Sequence, residues 1–153
     1  MFTALLTVSA HAQRTSLNVS GFPVVFATPT AADLDAGTLP SGTATTFVVE
    51  VIAGQPIPRL TIVSIRCQLP CPATGTKPVT GLQWRRADLP VWNTLTTVDV
   101  PIESRVVERR LPLPQSNNPW SNSLYWQALV GWTADAPGIN TYNIVMTLTV
   151  TAP

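Results

Sequence analysis

The feature that most constrains this chain is a two-residue alternation of apolar and polar side chains, broken at short intervals by proline and glycine. It is clearest near the C-terminus. Tyr142, Ile144, Met146, Leu148 and Val150 fall on one side, and Asn143, Val145, Thr147, Thr149 and Thr151 on the other. A strand sends successive side chains to opposite faces, so this segment reads as a strand with one buried face. The same pattern sets Leu17 and Val19 among Ser16, Asn18 and Ser20. The run from Thr45 to Ile52 is apolar on much of both faces and reads as a central strand. Further strands are expected at Leu60 to Cys67, Thr80 to Arg86, Val91 to Val100 and Ile102 to Leu111. One more has Leu124, Trp126, Ala128, Val130 and Trp132 on a single face. Proline cannot donate to a ladder, so the Pro- and Gly-rich stretches at 37–42, 54–58, 70–78, 112–119 and 137–138 read as connectors. No stretch long enough for a stable helix shows a 3.6-residue period. The expectation is an all-β fold, a β-sandwich of about eight antiparallel strands in one domain.

Composition narrows the function. Only 11% of the 153 residues are charged, and nine basic residues oppose eight acidic ones. Nucleic-acid binding rests on a basic excess, which this chain lacks. A hydrophobic content of 45% argues against a disordered chain.

The N-terminus reads as an export signal. Phe2 to Val8 is a short apolar run, and Ala10-His11-Ala12 has the small-x-small form of a signal-peptidase site. Residues 1–12 are therefore expected to be the remainder of a signal peptide, with residues 13–153 as the mature domain. No stretch reads as a membrane span, which needs about 20 apolar residues. Cys67 and Cys71 are the two cysteines, spaced C-x-x-x-C around Pro70. This is neither a C-x-x-C redox motif nor part of a zinc set, and in an oxidising compartment it is expected to close a small disulfide loop.

Catalytic signals are sparse. The single histidine, His11, lies inside the expected signal, so the mature chain has no Ser-His or Cys-His pair and no histidine metal site. Asp33 and Asp35 are two residues apart and would suit carboxylate chemistry only across a cleft. Their setting reads instead as a solvated turn. No enzyme activity, metal or cofactor is expected. In a strand the neighbours in Arg85-Arg86 and in Arg109-Arg110 face opposite sides; Glu103, Arg105, Val107 and Arg109 share one parity and read as part of a solvent-facing strand with cross-strand ion pairs, with edge charge that discourages aggregation as a related reading. Of the five tryptophans, Trp84, Trp126 and Trp132 share parity with apolar neighbours and are expected in the core. Trp92 and Trp120 lie beside loops and read either as aromatic rims that cover the ends of the sandwich or as the candidate ligand contacts, for a sugar ring or a protein. Asn18-Val19-Ser20 has the form of a glycosylation sequon.

The order of features also resembles a known group. Phe26 to Gly37 has an F-x-x-P-x-x-x-D-L-x-x-G form, followed by a Thr/Val strand, Leu82-Gln83-Trp84 and Val91-Trp92. The chain closes with Ala136-Pro137-Gly138, Tyr142 and Val145 to Val150. This resembles the spore coat protein U and chaperone–usher pilin group, although that group's early cysteine pair is missing. The resemblance implies an immunoglobulin-like or pilin-like sandwich in which an extended N-terminal segment of one subunit completes the open edge of the next. The donor would be Gln13 to Phe22, with Leu17, Val19 and Phe22 contacting the neighbouring subunit. It implies a secreted structural subunit of a filament, pilus or surface coat that self-associates into a polymer, and a secretion chaperone as a possible partner. The rival reading is a secreted carbohydrate- or protein-binding module that acts as a monomer through Trp92 and Trp120.

Overall fold

A computed structural model describes residues 14–53, 58–107, 118–133 and 140–151. The expected signal segment, Gln13, Arg109-Arg110 and the Ala136-Pro137-Gly138 run lie outside these residues. The fold is all-β, with two antiparallel sheets. The larger sheet contains β1 (Arg14–Ser20), β3 (Thr45–Ala53), β8 (Trp120–Leu129), β5 (Leu82–Arg86) and β6 (Asn93–Thr94), in that order. Its short β2 (Thr38–Pro40) also pairs with β8. The smaller sheet runs β7 (Val100–Val107), β4 (Arg59–Cys67), β9 (Ile144–Thr151).

The two sheets share one core. Phe47, Val49 and Val51 of β3, Trp84 of β5, and Leu124 and Trp126 of β8 come from the larger sheet. Val63 and Ile65 of β4 and Val107 of β7 come from the smaller. The alternation in β3 and β8 creates this, because every second residue points to the same side. Trp126 is 1% exposed, and its indole N–H donates to Thr45 Oγ1 at 3.0 Å, so its one polar atom is satisfied inside the core.

Three expectations need correction. The strand expected at Val91 to Val100 reduces to β6. Beyond it the chain crosses between sheets: Leu95 N–H donates to Leu82 O, and Cys67 N–H to Thr96 O. Leu95 is fully buried while Val91 and Val98 face solvent, a pattern set by the crossing and not by a pleat. The Asp33-Leu34-Asp35 turn is a short helix, α1 (Ala31–Ala36). Thr30 and Asp33 cap it reciprocally, and Gly37 ends it with φ 74°, a left-handed conformation suited to glycine. The strand expected to reach Trp132 ends at Leu129, opposite Thr38 where the three-residue β2 begins; the Val130 N–H to Gly37 O bond extends that pairing by one step.

The Cys67–Cys71 disulfide is formed, with Cα atoms 6.0 Å apart. Cys67 is buried in the core at the end of β4, so the bridge ties the following proline loop to the inner sheet face. At the end of β1, Gly21 has φ 88°, and a Cβ there would lie 2.3 Å from Ala44 O. Only glycine fits this close approach to the backbone that enters β3.

Candidate functional site

The tryptophans exchange places relative to the sequence reading. Trp120, expected beside a loop as a ligand contact, opens β8 and is 3% exposed. Its indole N–H donates to Thr61 Oγ1 at 3.2 Å, and its ring meets Phe47 edge-on at 5.6 Å. Trp132, expected in the core, is 65% exposed. The β8 alternation runs backward from Leu124 to Trp120, so the same parity rule carries the signal for its burial. Trp92 is half-buried, and the Arg85 guanidinium lies 5.3 Å from its ring centre. Trp84 and Trp126 are buried, as their parity requires.

β7 departs furthest from expectation. Glu103 and Arg105 do not face solvent as a row; the Glu103 side chain is only 7% exposed. Its Oε1 accepts from Arg105 Nε at 2.7 Å, and its Oε2 from Asn122 Nδ2 at 2.7 Å. Arg86 NH2 stands 3.4 Å from that same Oε2 and is also paired with Asp88. The Arg86 hydrogen bond, with a smaller contribution from Asn122, lowers the Asp88 carboxyl to about 2. Asp88 and Glu103 thus share Asn122 and Arg86 beside a cavity of about 540 Å3 lined by Ile62, Arg86, Ile102 and Ser104 among others. Two carboxylates at one cleft are the raw material of glycoside hydrolysis, but a general acid there needs a raised pKa. Asp88 is held in the opposite direction. The cluster is an ionic latch between β5, β7 and β8. Asp33, the other carboxylate candidate, serves the α1 cap, where bonds from Thr30 lower its pKa.

The remaining candidates lie at the strand edges, and here the two ends of the smaller sheet differ. β7 carries Pro101, two inward charges and a register shift opposite Val63/Ser64. These are devices that blunt an edge. β9 reads IVMTLTVT, with neither charge nor proline. It pairs with β4 in unbroken register from Leu60↔Thr151 to Cys67↔Ile144, and among the described residues no strand pairs with its other side. Its core-facing Ile144, Met146 and Leu148 are only partly buried. β1 runs close to β9 on the same flank. It is the edge of the larger sheet and pairs with β3 of its own chain, Leu17 opposite Val49 and Val19 opposite Phe47. Leu17 packs against the core, while Val19 and Phe22 keep more than a third of their surface in solvent. The Phe22 ring lies 6.3 Å from that of Trp126. Buried Ser16 Oγ finds no hydrogen-bond partner among the described residues.

No helix among the described residues is long and apolar enough to cross a membrane, and they contain no cluster of three or more metal-ligating side chains. No family model, curated protein or solved structure matches the chain.

Proposed function

We propose that the chain is a secreted structural subunit, an immunoglobulin-like or pilin-like sandwich that builds a filament or surface coat by β-strand addition. The observation that carries this reading is the contrast between the edges of the smaller sheet. Unpaired N–H and C=O groups on a long, regular edge recruit another strand. β7 is guarded by Pro101, Glu103 and Arg105, whereas β9 offers eight regular residues without a guard. β1 is the strand suited to exchange. Among the described residues it pairs on one side only, its Ser16 Oγ has no hydrogen-bond partner, and it lies on the flank where no strand pairs with the outer side of β9. A β1 transferred to a neighbour makes a heterologous contact, which propagates and does not close. A secretion chaperone would cover the same edge before assembly. The monomeric binding-module reading loses Trp120 to the core, and Trp92 is already covered by Arg85.

Deletion of residues 13–22 tests the proposal. The truncated protein should lose its polymers and bind a synthetic peptide of those residues. Replacing Leu17 and Val19 by Asp in the peptide should abolish binding, because each change places a charge in an apolar slot. Polymers that survive the deletion would refute strand exchange.

A further inference from the structure

The arginines of this molecule show a repeated arrangement. Arg85 lies between two aromatic rings, 5.3 Å from the centre of Trp92 and 4.8 Å from that of Tyr125. Arg105 lies 5.1 Å from the centre of Trp120 while its Nε donates to Glu103. The second case is a triad of indole ring, carboxylate and guanidinium. The ring face attracts the cation, and the carboxylate fixes it through charge-assisted hydrogen bonds.

Two members of the same triad stand together at the far end of β8. Trp132 Nε1–H donates to Asp35 Oδ1 at 2.9 Å, joining groups 97 residues apart. Both are held from behind. The Thr30–Asp33 capping box fixes α1, and the Val130 N–H to Gly37 O bond of 3.0 Å fixes the chain that carries Trp132. Because the hydrogen bond leaves from the ring edge, it keeps the ring beside the carboxylate while the residue stays 65% exposed. The described residues place no guanidinium or ammonium over this ring. The corner is carried by residues 30–37 and 120–133, and neither segment contains a lysine or an arginine. Asp33 and Asp35 therefore give it a negative field with no basic residue in the segments that build it.

We propose that Trp132 and Asp35 form a binding site for a guanidinium group presented by a protein partner. The cation would lie against the indole face and bond to the Asp35 carboxylate, as Arg105 does with Trp120 and Glu103. The site is separate from the β9 edge, so it stands whether or not strand addition occurs.

The test uses the full chain labelled with 15N. The Trp132 indole N–H signal is assigned by its disappearance in Trp132→Phe. The probe is acetyl-Gly-Arg-Gly-amide, and the control is the same peptide with neutral, isosteric citrulline in place of arginine. The arginine peptide should shift the Trp132 signal saturably, and added salt should weaken the effect. Asp35→Asn keeps an acceptor for the indole N–H but removes the charge, and should weaken binding by at least about threefold, as expected for an exposed ionic contact. An equal response to citrulline would overturn the proposal. So would a shift produced by a soluble β-linked glucan hexasaccharide but not by arginine, or no shift up to the solubility limit of the peptide. Sedimentation of Asp35→Asn separates the sources of the guanidinium. Weakened self-association at unchanged melting temperature identifies a second copy of this chain. Unchanged self-association, with peptide binding retained by the unmodified protein, identifies a different protein.

Discussion

Replacing Glu103 by alanine should destabilise the protein by about 2–3 kcal/mol. The side chain is 7% exposed and accepts from Arg105 Nε at 2.7 Å, Arg105 NH2 at 2.6 Å and Asn122 Nδ2 at 2.7 Å. Removing one partner of a fully buried ion pair costs about 3–5 kcal/mol, because the other charge is left unpaired in a poor solvent. Here the cations can partly rehydrate. The Arg105 side chain is 35% exposed, and that of Arg86 is 19% exposed and keeps Asp88 as a partner. The penalty therefore falls below the fully buried figure. At about 2–4 °C per kcal/mol for a domain of this size, the melting temperature should drop by about 4–12 °C. Urea denaturation of the unmodified protein, Glu103→Ala, Arg105→Ala and the double variant forms the assay. The double variant should be less destabilised than the sum of the singles, because the pair fails as a unit. A Glu103→Ala protein within about 0.5 kcal/mol of the original, the range of an ordinary surface change, would refute the latch.

Trp126→Ala should cost about 3–5 kcal/mol, whereas Trp132→Ala should stay within about 0.5 kcal/mol; equal losses in thermal melts would contradict the assignment of core and surface. Cys71→Ser should cost about 2 kcal/mol through loss of the small ring, and Cys67→Ser more, because its hydroxyl would lie in the core; chemical denaturation ranks the two. The Asp88 carboxyl is lowered from 3.8 to about 2, so its contribution to stability is complete above the unfolded value and lost as pH falls through about 2. The stability difference between the unmodified protein and Asp88→Asn should therefore hold from neutral pH to about 4 and vanish toward 2; a difference that instead grows in acid would reverse the sign of the linkage.

Much of the architecture is legible in the residues. The Phe47, Val49, Val51 and Leu124, Trp126, Ala128 alternations specify which faces are buried, and Cys67 and Cys71 specify their own bridge. Parity alone does not say where a strand stops. Trp132 has the parity of Trp126, but β8 stops at Leu129, opposite the start of the three-residue β2, whose Thr38 lies more than 90 positions earlier. Trp120 follows Asn118-Pro119, which reads as a loop, yet Asn118 itself is drawn into the ladder through bonds to the backbone of Val51. Glu103 carries no local sign of burial, since its partners Arg86 and Asn122 come from other strands. The edge contrast is half legible. The uncharged run of β9 is plain in the sequence, but its position at a sheet edge is a property of topology.

The most direct test of strand addition at β9 is negative-stain electron microscopy of two matched variants. Thr149→Lys places a charge on the outer face of β9, and Ser104→Lys does the same on β7; both positions are exposed, so neither change disturbs the core. Filaments or polymers are expected from the unmodified protein and from Ser104→Lys, and dispersed particles of unchanged melting temperature from Thr149→Lys. Polymers from Thr149→Lys as abundant as from Ser104→Lys would contradict assembly at the β9 edge.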